Sequence, residues 1–244
     1  MKVRGGNPRI VKKGLVFYVD AQNPYSEPGT GYDWNDITNN GMNLSYYNTS
    51  GGVIVRNTEN GIKSYHRSVV GTVTDNFAGS KNILLDGDFT FSVWVKAITS
   101  AGTSANGILT NHYHGTNSGS GITLAQRDTD DYRISMNTGT GTARTYNSHY
   151  GTTNVKGLWV LAMVRFIKST NNLSIWVNAV NEKEITYAQH NTALPIHLFQ
   201  WSCNHNTTAY KPEIKISQAS AYNIALTDSQ ILQNYNATKT RYGL

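Results

Sequence analysis

Three short stretches of this chain gather the residue types from which chemistry is usually built. Glu182-Lys183-Glu184 sets two carboxylates on alternate residues, the spacing by which one face of a strand can present an acid and a nucleophile to a glycosidic bond. A lysine holds the intervening position and Asn181 precedes the pair in a turn-like setting, so the stretch also reads as a solvated turn. His112-Tyr113-His114 would place two imidazoles on one face of a strand. That geometry suits a metal site if His149, His190, His197 or His205 supplies a third ligand, and equally suits hydrogen-bonding surface groups. Asp128-Thr129-Asp130-Asp131 concentrates three carboxylates, which fits either an oxygen-rich cation loop or a charged β-turn. Spacing assigns no Ser-His-Asp set and no phosphate loop. Cys203 is the single cysteine, which rules out an intramolecular disulfide and a multi-cysteine metal site. The expectation is a chain without catalytic residues, metal or cofactor.

Binding chemistry has more to work with. The chain holds 15 Tyr and five Trp, and tyrosine joins a rigid apolar face to a hydrogen-bonding tip. Tyr113, His114, Asp131, Tyr132 and Tyr150 form a candidate glycan-contacting set, with Tyr146 and His149 beside them, on loops expected at one end of the fold. The same residues could face a neighbouring subunit. The net charge of +6 is unevenly placed: Lys2, Arg4, Arg9, Lys12 and Lys13 stand in the first 13 residues with no acid among them, leaving 16 basic against 15 acidic residues elsewhere. A nucleic-acid surface needs basic groups clustered on the folded body. The pattern reads instead as a basic arm, residues 1–13, touching an acidic neighbour or solvent, followed by one domain over 14–244. The N-terminal residues lack the apolar run of a signal peptide, and no stretch approaches the roughly 18 apolar residues of a membrane span. Synthesis in the cytoplasm without membrane insertion is the expectation.

The elements that must position these residues are strands. Phe89, Phe91, Val93 and Val95 alternate with Thr90, Ser92, Trp94 and Lys96, the period of a strand with one face in the core. Residues 159–167 are apolar at nearly every position and predict a strand covered on both sides. They pair as a hairpin with the alternating Leu173, Ile175 and Val177 across the polar turn 168–172. Further strands are expected at 42–47, 52–56, 83–85, 107–110, 122–127, 132–137, 143–146, 183–188, 197–202 and 213–222. No amphipathic helices intervene, so two stacked antiparallel sheets are predicted rather than a parallel βαβ sheet. One helix is expected, over about 227–239, where Thr227 and Gln230 can form a capping box ahead of Ile231 and Tyr235.

Gly14-Leu15-Val16-Phe17-Tyr18-Val19-Asp20-Ala21-Gln22-Asn23-Pro24, the Trp34-Asn35-Asp36 loop, the strands near 89–97 and 173–180, and the closing Tyr222-Asn223 to Tyr235-Asn236 motif occur in one order. Together they resemble concanavalin A-like (laminin-G-like) jelly-roll domains of the type found in virion proteins of tailed bacteriophages. In the closing motif Gln230 stands where the family usually has Glu, and either residue closes a capping box. The resemblance implies an all-β, two-sheet antiparallel jelly-roll sandwich with a short C-terminal helix. It also implies a non-enzymatic structural protein of the virion, a capsid decoration or tail-associated component, likened to oligomers docked on other virion subunits through the basic arm. A carbohydrate-binding adhesin for host surface glycans is the alternative. Glycoside hydrolysis is the minor one, since the E-x-D-x-E strand of glycosidases with this fold has no counterpart here.

Overall fold

The computed structural model of the chain describes residues 9–31, 33–47, 54–68, 71–73, 75–99, 106–115, 118–126, 133–139, 146–188, 192–199, 209–211 and 213–244. In chain order the strands are β1 (Leu15–Asp20), β2 (Asp33–Trp34), β3 (Leu44–Tyr47), β4 (Ile54–Glu59), β5 (Ile62–Arg67) and β6 (Gly71–Val73). They continue as β7 (Asn76–Leu85), β8 (Phe89–Ala97), β9 (Asn106–Gly115), β10 (Ser118–Gln126), β11 (Arg133–Gly139) and β12 (Tyr146–Asn154). The last six are β13 (Trp159–Ile167), β14 (Asn172–Val177), β15 (Val180–Thr186), β16 (Thr192–Leu198), β17 (Ala209–Lys211) and β18 (Ile214–Tyr222), followed by helix α1 (Asp228–Thr238).

One sheet runs β15-β14-β13-β8-β18-β5-β4, with β1 lying beside the half of β18 that β5 does not reach. The other runs β12-β11-β10-β9-β16-β7-β3-β2, and β6 and β17 form a small separate ladder. All strand pairs are antiparallel, including the predicted β13–β14 hairpin, whose turn is closed by Asn171 in the left-handed region at φ 51°. Between the sheets lies one apolar core. Phe17, Phe91, Val93, Val164 and Ile175 enter it from the first sheet, and Trp34, Phe77, Ile108, Leu124 and Met136 from the second.

The alternation in β8 predicts a single core face, and here the structure differs. Eight of the nine residues in β8 are buried, Lys96 being half-buried, because the outer side of this sheet carries a second apolar layer. Trp94, Leu161, Met163, Trp176 and Tyr222 point outward and are roofed by Ile231, Leu226 and Tyr242. Trp94 stacks on Tyr242 with ring centroids 3.8 Å apart, and its indole N–H donates to Thr238 Oγ1 at 2.9 Å. The helix therefore has a site built to receive it. Its first turn is fixed by the predicted capping box: Thr227 Oγ1 accepts from Gln230 N at 3.3 Å, and Gln230 Oε1 accepts from Thr227 N at 2.9 Å.

The chain's beginning is tied to the same helix. Val11 donates its N–H to Asn234 Oδ1 at 2.7 Å and accepts from Tyr222 OH at 3.2 Å, while Gln233 Nε2 donates to Arg9 O at 2.7 Å. Val11 is buried in the outer layer, with Arg9, Lys12 and Lys13 exposed around it. Arg9 and Val11, within the stretch expected to form the basic arm, thus make contacts with the folded body. Lys2 and Arg4 lie outside the described residues.

Candidate functional site

The loop leaving β1 is held by its own polar side chains. Asp36 accepts from Tyr18 N at 3.0 Å, Thr38 N at 3.0 Å and Met42 N at 3.1 Å, which joins the Trp34-Asn35-Asp36 turn to the first strand. Asp20 is buried and accepts from Gln22 N at 2.9 Å, Tyr18 OH at 3.1 Å and Arg241 Nη1 at 2.8 Å. The carboxylates of the opening signature therefore organise backbone. They are not free to act on a ligand.

Opposite this loop stands the β4–β5 hairpin, turned by Asn60 at φ 51° and Gly61 at φ 80°. Positive φ at both central positions is the demand of a type I′ turn, which Asn-Gly meets at least cost. Glu27 bridges loop and hairpin: its carboxylate accepts from Gly29 N and Arg56 Nε, each at 2.8 Å, and from the Tyr65 hydroxyl. Arg56 also donates to Gly31 O at 2.7 Å, and Gln22 Nε2 donates to Gly61 O at 3.0 Å. Tyr65 in turn packs on Trp34 with ring centroids 4.8 Å apart. A wall built by an ion pair on one side and aromatic packing on the other leaves a gap between hairpin and loop.

That gap is a cavity of about 150 Å³ lined by Ala21, Glu27, Gly29, Arg56, Asn57, Thr58, Lys63, Ser64 and Tyr65. Ala21, Glu27, Ser64 and Tyr65 are buried and form its floor, whereas Gly29, Arg56, Thr58 and Lys63 are exposed at its rim. Ser64 is 3% exposed, yet its Oγ has no hydrogen-bond partner among the described residues, and neither has Asn57 Oδ1. Asn57 and Ser64 are cross-strand partners that alternate with Arg56 and Tyr65, so their side chains face the opposite side of the hairpin from the Glu27 bridge. Tyr25, 83% exposed, lies two residues before Glu27. None of these residues belongs to the set expected from the sequence.

Three residues of the expected glycan-contacting set, Tyr113, His114 and Tyr150, fall on described strands. Tyr113 and His114 lie on β9 opposite Ser120 and Gly119 of β10, whereas Tyr150 on β12 pairs with Ser135 of β11, itself opposite Ala125. Five residues of β10 separate the two levels, roughly 17 Å at the rise of an extended strand, and the strands are three places apart in the sheet. Tyr150 is half-buried with the Arg133 guanidinium 5.9 Å from its ring centre. Asp131 and Tyr132 lie outside the described residues, as do Asp128, Asp130 and Cys203. Among the described residues no three His, Cys, Asp or Glu side chains converge as a metal-ligand set.

Glu182-Lys183-Glu184 falls on β15, an edge strand, where both glutamates have structural partners. Glu182 Oε2 accepts from Thr152 N at 2.8 Å and Thr153 N at 3.2 Å, clasping the edge strand β12 of the opposite sheet. A Cβ on Gly151 would come within 2.3 Å of that oxygen, so the clasp requires glycine there. Glu184 accepts from Asn181 Nδ2 at 2.6 Å. His149, on the same strand as Gly151, has its pKa lowered by burial and then by the charge of Lys183.

No protein-family model and no curated protein sequence matches the chain. Solved structures do. A structure of botulinum neurotoxin type C, whose cell entry is dependent upon interaction with two ganglioside molecules, superposes with a TM-score of 0.66 at 11% identity, over 92% of this chain and 51% of that one. The binding domain of Paraclostridial Mosquitocidal Protein 1 gives 0.62 at 13% identity, over 92% and 52%. The Trypanosoma rangeli sialidase gives 0.62 at 10% identity, over 93% and 33%. This chain spans about half the length of these two toxin structures and a third of the sialidase. At such identities the likeness concerns fold, and it shows the expected lectin-like jelly-roll β-sandwich.

Proposed function

We propose that this chain is a non-enzymatic binding domain whose ligand is carbohydrate, carried on a phage virion as the sequence resemblance implies. The carrying observation is the fate of its glutamates. All five are engaged by the fold: Glu27 by Arg56 and Tyr65, Glu59 by Lys96 and Lys215, Glu182 by the β12 backbone, Glu184 by Asn181, and Glu213 by His66. Hydrolysis of a glycosidic bond needs an acid and a nucleophile or base set on either side of the sugar, and these carboxylates are spent on holding strands together. The carbohydrate class is supported by the solved neighbours, one of which is a botulinum neurotoxin type D ligand-binding domain in complex with N-acetylneuraminic acid. On an array of bacterial surface glycans the chain should be retained on a discrete subset of spots. Uniform absence of retention at high micromolar protein would contradict the reading.

Docking on neighbouring virion subunits is the second reading, favoured by the exposed Arg9, Lys12 and Lys13 around the buried Val11. Because Val11 is part of the outer layer, the test changes side chains and leaves the backbone: replacing Arg9, Lys12 and Lys13 together by Gln keeps the Arg9 O and Val11 N hydrogen bonds, and that chain is expected to melt near the wild-type temperature yet fail to join particles. Normal incorporation would remove the anchoring role from those residues.

A further inference from the structure

We propose that the roof of the outer layer, helix α1 with the segment 9–13 beside it, is the surface that seats this chain on a neighbouring virion protein, and that the neighbour presents carboxylates around an apolar spot. This rests on the docking reading above and gives it a face and a partner chemistry. Charge is the first observation. The stretches that build the roof, 9–14 and 223–244, carry Arg9, Lys12, Lys13, Lys239 and Arg241 against one acidic side chain, Asp228. Asp228 pairs with Arg165 of β13, and Arg241 pairs with Asp20 at 2.8 Å. Arg9, Lys12, Lys13 and Lys239 are left without a carboxylate partner among the described residues, whereas Arg56 is paired with Glu27, and Lys96 and Lys215 with Glu59. The roof is a cationic surface with no unpaired acidic side chain.

The helix itself is the second observation. A surface helix ordinarily turns charged residues to solvent, yet the exposed positions of α1 beyond its first residue are Ser229, Leu232 and Gln233, with Asn236 half-buried beside them. Its crest is uncharged. Leu232 is 50% exposed, and Tyr235 and Lys239 follow on the same side of the helix, the Lys239 ammonium lying 5.2 Å from the Tyr235 ring centre. On the other flank Gln233 donates to the Arg9 carbonyl and Asn234 accepts from the Val11 N–H, so the cations of segment 9–13 are carried on fixed backbone. An uncharged centre with an apolar and an aromatic side chain, rimmed by cations, has the anatomy of a protein–protein contact. A nucleic-acid backbone would draw the cations to the centre. A second copy of this chain fits poorly, because a two-fold contact through this face would bring together two cationic surfaces that both lack an unpaired acidic side chain.

Two measurements on particles test the face. A carbodiimide joins an amine to a carboxylate that it already touches, with loss of water, and the linked peptides are identified by mass spectrometry. Lys12, Lys13 or Lys239 should be joined to Asp or Glu of a different protein, whereas Lys63 and Lys183, exposed on β5 and β15, should not. In parallel, Leu232→Glu should melt close to the wild-type temperature and lose incorporation by about tenfold or more, as for a contact at the centre of an interface. Tyr25→Ala, which removes another exposed aromatic on the β1–β2 loop, should incorporate normally. Incorporation kept by Leu232→Glu but lost when Arg9, Lys12 and Lys13 are replaced would leave the docking reading standing and overturn the helix face. Absence of links from the three roof lysines to another protein, or links only to a second copy of this chain, would overturn it whatever Leu232→Glu does to the fold. A chain missing from purified particles would overturn the docking reading and the face together.

Discussion

Trp94→Ala is expected to cost about 3–5 kcal/mol of folding stability, the range for truncating a large buried aromatic. Trp94 has no exposed surface and is the hinge between sheet and helix, stacked on Tyr242 at 3.8 Å and on Tyr235 at 6.1 Å. Truncation would open a cavity under the 3-10 turn Lys239–Tyr242 and strip Thr238 Oγ1 of its indole donor. Loss of the helix would then expose Leu161, Met163 and Trp176, and free Val11 from Asn234. Urea denaturation followed by circular dichroism measures this directly. A midpoint shift equivalent to less than about 1 kcal/mol, the size of an ordinary surface substitution, would show that the outer layer contributes little.

Alkali should unfold the domain through its buried phenols. Burial pushes the Tyr222 pKa up to about 12, outweighing the lowering by hydrogen bonds from Asn234 and Ser220. Burial likewise raises Tyr242, and raises Tyr18 well above its ordinary value with help from the neighbouring Asp20 carboxylate. In the unfolded chain all three titrate near pH 10. Each folded pKa lies above its unfolded value, so the stabilisation is complete below pH 10 and is lost as pH rises through the folded values. Two pKa units for Tyr222 correspond to about 3 kcal/mol. Loss of the Tyr222 proton also ends its hydrogen bond to Val11 O. Absorbance titration of phenolate should therefore show a late set of tyrosines that ionise together with loss of β-sheet dichroism between pH 10 and 12. Ionisation of every tyrosine near pH 10 with the sheet signal intact would contradict the burial described.

What the sequence made legible follows from how local each signal is. Strand β13 and its hairpin with β14 could be read because apolar runs, alternation and a polar turn are neighbours in the chain. The helix could be read because a capping box spans four residues. That Ile231 must sit on Trp94 and Leu161 was not readable, since alternation in β8 looks the same whether its outer face meets water or a helix far along the chain. The cavity escaped for the same reason: Glu27 meets Arg56 and Tyr65 only through tertiary packing. Its hairpin carried a signal that the expected strands, ending at 56 and resuming at 83, passed over: Asn60-Gly61 is a strong type I′ turn pair. The tyrosine set drawn from composition had no such guide. Register alone decides which levels of a sheet coincide, and it separates Tyr113 from Tyr150.

Retention without turnover is the core of this account, and one sample can measure both. The chain is equilibrated with fluorescently labelled host surface polysaccharide, the bound fraction is read by anisotropy, and free reducing ends are counted in the same tube over a day. The account predicts saturable binding, with reducing ends constant at the level of protein-free polysaccharide. Reducing ends that rise with time, and stop rising when Glu182 or Glu184 is replaced by Gln, would contradict it and make the chain a hydrolase.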